Sequence, residues 1–263
     1  MSVFEELRLL ATPERLLRDP LATGKGVRVA LLDAGVDRAV ISARHPLART
    51  IQGGIFSADR PQPAPYLGQQ SSPHGTTVAD ILFALAPDIE LFSADVFGPV
   101  GACEVEVVLK ALAWAVDVWK CKLVNLSLGV TEQRLRTPAR RQQFLRAIED
   151  AYFKDVIVVA AAHNDHPFTR SYPALFAPPL LSVNKNLFVE KTDFAYRSRD
   201  WIEFEAHGRG YLGPFAQEPA TSWAAPHLAG LVARLLSLRP DLKPFEVKTL
   251  LYWMSPPKPP EGG

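Results

Sequence analysis

Short apolar runs alternate with longer segments of helical periodicity from about residue 27 onward. The apolar runs are rich in Val, Ile, Leu and Ala and alternate little with polar residues, which is typical of strands covered on both faces. They predict strands at Val27–Leu32, Ile89–Val96, Lys122–Leu128, Val156–Ala162, Leu180–Val183 and Ile202–Ala206. Strands that alternate with helices form parallel sheets. We therefore expect an α/β fold of three layers, in which a mostly parallel, twisted sheet carries helices on both faces.

The segments of helical periodicity lie between and after these strands. They predict helices at His74–Leu85, Glu104–Trp119, Ala139–Phe153, Ser222–Leu238 and Phe245–Met254. The helix that begins at Ser222 has one apolar stripe, which is expected to pack against the sheet. That stripe consists of Ala225, Leu228, Ala229, Val232 and Leu235.

The composition changes at both ends of the chain. Residues 1–23 predict a helical extension that docks onto the rest of the protein. Its apolar anchors are Leu7, Leu10, Leu16 and Leu17. Residues 24–255 contain no internal repeat and no long linker, so we expect a single domain there. Residues 256–263 are rich in Pro and Gly and are expected to form an extended tail.

The charge balance limits the kinds of partner. The 263 residues include 29 basic and 28 acidic side chains, which gives a formal net charge of +1. No charge-driven binding to nucleic acid or to an anionic membrane is therefore expected. Every apolar run is shorter than the roughly 20 residues that span a bilayer, so no membrane segment is predicted. The sequence leaves the oligomeric state open.

The amino-terminal residues mix charged and apolar side chains and lack the uninterrupted apolar core of a secretory signal. The predicted compartment is therefore the cytoplasm. Cys103 and Cys121 are expected to be free thiols there. His and Cys do not cluster at the spacing of zinc ligands, and neither a metal nor another cofactor is predicted.

Polar side chains stand at the ends of predicted strands and the starts of predicted helices. Asp33 and Asn164 follow strands, whereas His74 and Ser222 begin helices. Each has an ordinary structural explanation: a turn hydrogen bond for Asp33, helix capping for His74 and Ser222, and a left-handed turn for Asn164. Reactive groups converge at the carboxyl ends of parallel strands, however. Together these four residues would make a complete acyl-transfer site.

Acyl transfer requires these residue types. A serine hydroxyl becomes a good nucleophile when a histidine takes its proton, and a buried aspartate holds the imidazole in the correct tautomer. The negative oxygen of the intermediate needs fixed donors. The side-chain amide of Asn164 and the backbone N–H of Ser222, at a helix amino terminus, are the candidate donors.

The sequence motifs around these residues are typical of one family. They are Leu31-Leu32-Asp33-Ala34-Gly35-Val36-Asp37, His74-Gly75-Thr76, Val124-Asn125-Leu126-Ser127-Leu128-Gly129, Ala160-Ala161-Ala162-His163-Asn164-Asp165 and Thr221-Ser222-Trp223-Ala224-Ala225-Pro226-His227-Leu228-Ala229-Gly230. The reactive residues occur in the order Asp, His, Ser, which is the order in subtilisin. On these motifs the chain resembles a subtilisin-like serine protease, a subtilase of the peptidase S8 family.

The resemblance implies a serine endopeptidase with a subtilisin-like fold, acting on an extended peptide or protein. It assigns the catalytic triad to Asp33, His74 and Ser222 and the oxyanion hole to Asn164. It also implies two backbone edges that pair with the peptide. The residues implied in substrate binding are Ser127, Leu128, Gly129, Gly101 and His163.

Several positions depart from the family's motifs. Ala220 stands where the family usually has glycine, and a positive φ there would strain the turn before the serine by about 1 kcal/mol. His163 replaces a glycine in the wall of the S1 pocket and predicts a smaller or more polar pocket. Trp223 replaces a methionine and is expected to pack in the core. Asp80 is expected to cap or pair locally.

The chain is shorter than secreted relatives in two places. Only the turn Ala86-Pro87-Asp88 joins the histidine helix to the next predicted strand, so the calcium ligands that those relatives carry in a longer loop are not expected. We also expect no long folding propeptide before Asp33. The resemblance therefore implies a compact, intracellular type of subtilase.

Other functions also fit part of the sequence. An endopeptidase with a restricted intracellular substrate is the leading prediction. Capture of the acyl-enzyme by an amine would make the same site a peptide ligase or macrocyclase. Ala220 and His163 leave open a catalytically impaired, peptide-binding pseudoprotease. A dinucleotide-binding protein is disfavoured, because the residues after the first predicted strand lack the GxGxxG pattern that binds phosphate.

Overall fold

The protein is built around one large twisted sheet. The computed structural model describes residues 13–46, 50–98, 101, 103–135 and 137–256. Its strands are β1 (Arg28–Asp33), β2 (Ile51–Ile55), β3 (Ala64–Pro65), β4 (Glu90–Asp95), β5 (Leu123–Leu126), β6 (Val130–Thr131), β7 (Ile157–Ala161), β8 (Ser171–Tyr172), β9 (Leu181–Asn186), β10 (Phe194–Arg199) and β11 (Ile202–His207). The main sheet has 9 strands in the order β10-β11-β9-β7-β5-β1-β4-β2-β3.

The pairing is parallel across the main sheet except at its two margins, where β10–β11 and β2–β3 are antiparallel. Strands β6 and β8 pair with each other in a small antiparallel ribbon. The predicted α/β class with a mostly parallel sheet is therefore confirmed.

Helices cover both faces of this sheet. They are α1 (Pro13–Arg18), α2 (Arg38–Arg44), α3 (Pro73–Leu85), α4 (Val105–Asp117), α5 (Pro138–Phe153), α6 (Thr221–Leu238) and α7 (Pro244–Met254). Side chains alternate along β1, so Val29 and Leu31 join one apolar core with α3 and α6. Ala30 and Leu32 join the core on the other face with α4 and α5. The three layers follow from this alternation.

The predicted strands and helices agree with the observed ones to within a few residues, but several elements were missed. Strand β10 is a margin strand with the sequence FAYRSR, which has too few apolar positions to indicate a buried strand. Strand β2 contains Gly53 and Gly54, and glycine is unfavourable in strands. Gly53 is needed there because a Cβ atom at that position would lie 2.0 Å from the carbonyl oxygen of Ser93.

Helix α1 lies within the predicted amino-terminal extension. Leu16 is buried in the same core as α6. The guanidinium of Arg234 on α6 donates hydrogen bonds to the carbonyl oxygens of Leu16 and Ala22, which ties this segment to the helix. The predicted anchors Leu7 and Leu10 lie outside the described residues, as do the last residues of the predicted tail. None of the helices in the described ranges combines the length and apolar character needed to cross a bilayer.

Asp80 is fully buried and pairs with the neighbouring helix. Its carboxylate accepts hydrogen bonds from Arg44 at 2.7 Å and from His45 at 2.6 Å, at the end of α2. Burial alone would raise the pKa of Asp80, but the hydrogen bonds and charges of these two partners hold it below its ordinary value. The residue is a structural anion, and its partners come from another element, not from its own helix. Cys103 and Cys121 are free thiols, as predicted.

Candidate functional site

The predicted reactive residues converge at the carboxyl edge of the sheet. Strands β1, β5 and β7 are neighbours there. Asp33 is the last residue of β1, Ser127 follows β5, and Asn164 follows β7. His74 and Ser222 each occupy the second position of a helix, in α3 and α6. The sheet therefore brings together side chains that lie as much as 189 positions apart in sequence, the difference between 222 and 33.

Asp33 and His74 form a hydrogen-bonded pair. The Nδ1 atom of His74 lies 2.8 Å from Oδ1 of Asp33, which also accepts from the backbone N–H of Ala34 at 2.7 Å. The Asp33 side chain is 1% exposed and the His74 side chain 30% exposed. The turn hydrogen bond weighed for Asp33 is thus present, but the same oxygen also orients the imidazole.

The charge of Asp33 controls the protonation of His74. Burial lowers the pKa of His74, whereas the nearby carboxylate charge and its hydrogen bond raise it. The net result is a pKa above the ordinary value of 6.5. His74 is therefore a stronger base than an isolated histidine.

Two glycines allow the histidine helix to reach Asp33. A Cβ atom on Gly75 would lie 2.1 Å from the carbonyl oxygen of Gly35, so only glycine lets the start of α3 lie against the turn after β1. Gly35 itself has a φ of 78°, in the left-handed region that glycine adopts without strain. Helix α3 is capped by Ser72, so the capping role considered for His74 is wrong. The imidazole is free for another role.

Ser222 lies in the first turn of α6 and is tied to the strand end opposite. Its hydroxyl donates to the carbonyl oxygen of Ser127 at 3.2 Å, and the hydroxyl of Ser127 donates to the carbonyl oxygen of Ser222 at 2.9 Å. Asn125 in turn donates to the Ser127 hydroxyl at 2.8 Å. The Ser222 hydroxyl is therefore held at the end of β5, and it would have to exchange this bond for one to His74 in order to act as a nucleophile.

The expectation of strain at Ala220 is wrong. Ala220 has φ −141° and ψ 152°, which is extended backbone that any residue adopts. It is also the residue that precedes the helix, so Ser222 is not its cap. Alanine is tolerated here because the backbone does not enter the left-handed region.

Asn164 is held so that one end of its amide remains available. Its Oδ1 atom accepts from the backbone N–H of Thr221 at 2.8 Å and from the Thr221 hydroxyl at 3.0 Å. Lys185 donates to the Asn164 carbonyl oxygen at 2.8 Å. Asn164 is not among the residues of positive φ, so the left-handed turn considered for it is wrong. With Oδ1 engaged, the Nδ2 group can donate to a bound oxygen beside Ser222.

Two adjoining cavities meet at the strand end Ser127–Gly129. One, of about 350 Å³, is lined by His163, Asn164 and Ser222 among others. The other, of about 470 Å³, is lined by Asp33, His74 and Gly101 among others. The structure therefore places all the predicted binding residues beside the reactive ones. The resemblance implies that Ser127–Gly129 forms one peptide-pairing edge and the segment Phe97–Gly101 the other. In that segment, Pro99 and Val100 lie outside the described residues.

A known protein family matches most of the chain. The model of the subtilase family matches residues 24–259. The chain belongs to the subtilase family.

Within the parts of the chain that the structure describes, no group of three or more His, Cys, Asp or Glu side chains is placed to hold a metal ion.

Two curated relatives are similar to this chain over most of its length. M-protease from Shouchella clausii (strain KSM-K16) is 28% identical over 252 residues, which are 87% of this chain and 59% of that protein. Subtilisin Savinase from Lederbergia lenta is 28% identical over 252 residues, with 87% of this chain and 83% of that protein covered. The fold is also that of a solved lanthipeptide protease, with a TM-score of 0.62, 21% identity and coverage of 95% of this chain and 80% of that one.

The serine motif of this subtilase contains one histidine, His227, which is structural. His227 is buried, with Nδ1 2.6 Å from the Trp223 carbonyl oxygen and Nε2 2.6 Å from the Tyr211 hydroxyl. Nδ1 therefore donates and Nε2 accepts. Burial, the largest influence, lowers the pKa of His227 to about 3. His227 is thus neutral at physiological pH and links α6 to the segment after β11.

Trp223 contacts His74 as well as the core. Its ring is 2% exposed, and its centroid lies 4.9 Å from that of His74 at an interplanar angle of 36°. The indole N–H donates to the Glu218 carbonyl oxygen at 3.1 Å, and Phe215 packs on the ring as well. The predicted core packing is confirmed, but sequence reasoning missed the contact with the imidazole. The position of Trp223 directly after the serine was the available signal.

Replacement of Trp223 by a smaller side chain is expected to change both the activity and the pKa of His74. An aromatic contact of this kind contributes about 0.5–1.5 kcal/mol, so Trp223→Leu should lower kcat/KM by roughly three- to tenfold. Burial lowers the pKa of His74, so less burial should move the acid limb of the pH profile to higher pH. A pH series of kcat/KM measures both effects. Trp223→Phe should lose less activity, because it keeps a ring beside the imidazole.

Trp119 offers a matched control for this variant. It packs against Phe56 and Phe92 on the other face of the sheet. Trp119→Leu should lower thermal stability without moving the pH profile. The effect of Trp223 on His74 is refuted if both variants move the acid limb equally, or if neither does.

Proposed function

We propose that this subtilase is a serine endopeptidase that cleaves peptide bonds through an acyl-enzyme on Ser222. The observation that carries the proposal is the 2.8 Å hydrogen bond between the buried Asp33 and His74, beside a serine and a pre-oriented Asn164 amide. A general base, its orienting acid, a nucleophile and an oxyanion donor are the groups that acyl transfer requires.

Each group has a defined step in the mechanism. His74 takes the proton of the Ser222 hydroxyl as the oxygen attacks the peptide carbonyl, and Asp33 stabilises the imidazolium that forms. The amide of Asn164 and the backbone N–H of Ser222 stabilise the negative oxygen of the intermediate. His74 then gives the proton to the leaving amine. A water molecule, activated by the same histidine, hydrolyses the acyl-enzyme.

The proposed substrate is an extended peptide or protein. The backbone of Ser127–Gly129 borders both cavities, and Gly101 lines the larger one, so a peptide lying between them can add a strand to this edge. His163 lines the smaller cavity, which we assign to the side chain before the cleaved bond. Its imidazole makes that cavity more polar than a glycine would, so large apolar side chains are not the preferred ones.

We further propose a restricted substrate, such as a precursor peptide or one partner protein, in the cytoplasm. The shared fold with a lanthipeptide protease is compatible with a peptide precursor. The unstrained Ala220 removes one of the two reasons to expect an impaired pseudoprotease.

Two measurements test the proposal. A fluorophosphonate probe should label the wild-type protein and leave Ser222→Ala unlabelled. Mass spectrometry of a peptide library should show internal cleavages with the wild type that Ser222→Ala does not produce. Products joined head to tail, or to an added amine, would indicate a ligase or macrocyclase instead. Absence of both labelling and cleavage would contradict a peptidase.

A further inference from the structure

We propose that Arg134 makes the cleft selective for substrates with a carboxylate two to four residues before the cleaved bond. The inference rests on the proposed function, since it assigns the larger cavity to that half of the peptide. Arg134 lines the cavity of about 470 Å³ together with His74 and Leu128. It lies after the β6 strand, and no motif of the sequence drew attention to it.

The backbone of Arg134 is fixed but its guanidinium is not engaged. The Arg134 N–H donates to the Thr131 carbonyl oxygen at 2.9 Å, and the next residue, Leu135, is 1% exposed and anchors the turn in the core. The Arg134 side chain is exposed at the cleft, and it makes no hydrogen bond or ion pair within the described ranges. A cation is therefore held at the substrate cavity without a counter-ion from the described residues.

Nearby carboxylates are already paired with other arginines. Glu132, two residues before Arg134, is 3.0 Å from Arg141. Glu106 is 2.8 Å from Arg140. Each acid thus has its own cation. Neither of these two acids is therefore available to neutralise Arg134.

Glu104 is a further acidic residue near this cavity. Its charge and that of Arg134 both act on the thiol of Cys103, which lines the cavity. The two side chains do not form an ion pair with each other in the described structure. Glu104 therefore weakens the positive field at the cavity without neutralising it.

The walls around Arg134 favour an ion pair with a bound peptide. Phe97, Leu128 and Val130 supply apolar surface. Burial, with smaller contributions from Asp33 and Glu104, raises the pKa of Cys103 to about 12, so the thiol is neutral. A peptide lying over this surface displaces water, and a less hydrated pair is stronger than one in open solvent. The planar guanidinium also matches a carboxylate with two parallel hydrogen bonds.

The position of the carboxylate follows from the two cavities. They share Ser127, Leu128 and Gly129, and the smaller one holds Asn164 and Ser222. If the residue before the cleaved bond occupies the smaller cavity, earlier residues extend into the larger one. An extended chain advances about 3.3 Å per residue, so two to four residues cover the larger cavity.

Peptide pools with one fixed position test the inference. Each pair of pools carries Asp or Asn at one of these positions and random residues elsewhere. At the position facing Arg134, the wild type should cleave the Asp pool about five- to tenfold faster than the Asn pool. Arg134→Gln should bring this ratio close to one. Glu104→Gln should increase it, because a competing charge is removed.

Arg140→Gln is the matched control. It removes the same charge from an arginine that pairs with Glu106 outside the cleft, and should leave the Asp/Asn ratio unchanged. A ratio near one at all three positions in the wild type overturns the inference. The same conclusion follows if Arg134→Gln and Arg140→Gln change the ratio equally.

Retention of the same pools on immobilised Ser222→Ala protein separates this inference from the proposed function. One outcome is that the wild type cleaves no peptide, that Ser222→Ala retains the Asp pools, and that the double variant Ser222→Ala, Arg134→Gln does not retain them. The peptidase proposal then fails, but the recognition of a carboxylate by Arg134 stands. If peptides are cleaved without any preference for Asp, the proposed peptidase function stands and the proposed selectivity of Arg134 for a carboxylate is refuted.

Discussion

Replacement of Asp33 by Asn is expected to lower kcat by about 10⁴-fold, the loss caused by the same change in an unrelated protease with this constellation. Asn is nearly the same size and can occupy the same place. Its amide donates where a carboxylate accepts, however, and favours the imidazole tautomer with the proton on Nε2. That tautomer cannot take the proton of Ser222.

The pH profile gives a second signature of the same variant. His74 must be neutral to act as base, so wild-type kcat/KM should rise with pH through a pKa above 6.5. Asp33→Asn removes the charge that raises this pKa, whereas burial continues to lower it. The acid limb of the residual activity should therefore move to lower pH. Steady-state kinetics across the pH range measure both the rate and the limb.

Asp37→Asn is the control for the Asp33 variant. Asp37 caps α2 through its side chain, accepting from the backbone N–H groups of Ala39 and Val40, and asparagine caps helices equally well. This variant should retain activity. A residual rate in Asp33→Asn within tenfold of the wild type would refute the role of Asp33, as would an unmoved acid limb.

Removal of the Asn164 amide is expected to lower kcat by about 10²- to 10³-fold, with a much smaller effect on KM. The oxygen of the peptide carbonyl becomes fully negative only in the tetrahedral intermediate, so the donor contributes mainly to the transition state. In Asn164→Ala the fold should persist, because Asn164 is exposed. Separate determination of kcat and KM tests this expectation.

Thr221 separates donation by Asn164 from its positioning. Thr221→Val removes the hydroxyl that donates to Asn164 Oδ1 but keeps the backbone N–H that donates to the same atom. This variant should lose much less activity than Asn164→Ala. Equal losses in the two variants would mean that Asn164 acts by holding the start of α6. A rise in KM with unchanged kcat would contradict an oxyanion role.

Two kinds of feature could be predicted from the sequence: buried strands and helices, which have long apolar patterns, and reactive residues, whose types the chemistry requires. Buried parallel strands such as β1 and β7 have continuous apolar runs that differ from any loop. Asp33, His74, Asn164 and Ser222 stood out because each has a distinct chemical role and the expected order. Their convergence then follows from the topology of a parallel sheet.

Features that depend on exact backbone positions could not be predicted in this way. The hydrogen bonds between Ser127 and Ser222 join residues 95 positions apart and have no periodic signal. The hydrogen bonds from Arg44 and His45 to Asp80 likewise have no periodic signal in the sequence. Ala220 was misjudged because its φ was inferred from the residue type usual in the family. The backbone angle depends on the local path of the chain, which here is extended.

The paired hydrogen bonds between Ser127 and Ser222 have a consequence for the resting protein. A hydroxyl that already donates to a carbonyl oxygen does not share its proton with a base, so it is a weak nucleophile toward stray acyl groups. One hydrogen bond must break as another forms, and such exchanges cost little net free energy. The acceptor, the carbonyl oxygen of Ser127, belongs to the edge where we propose that a peptide binds. A peptide bound there would therefore decide whether the Ser222 hydroxyl is released to act as the nucleophile.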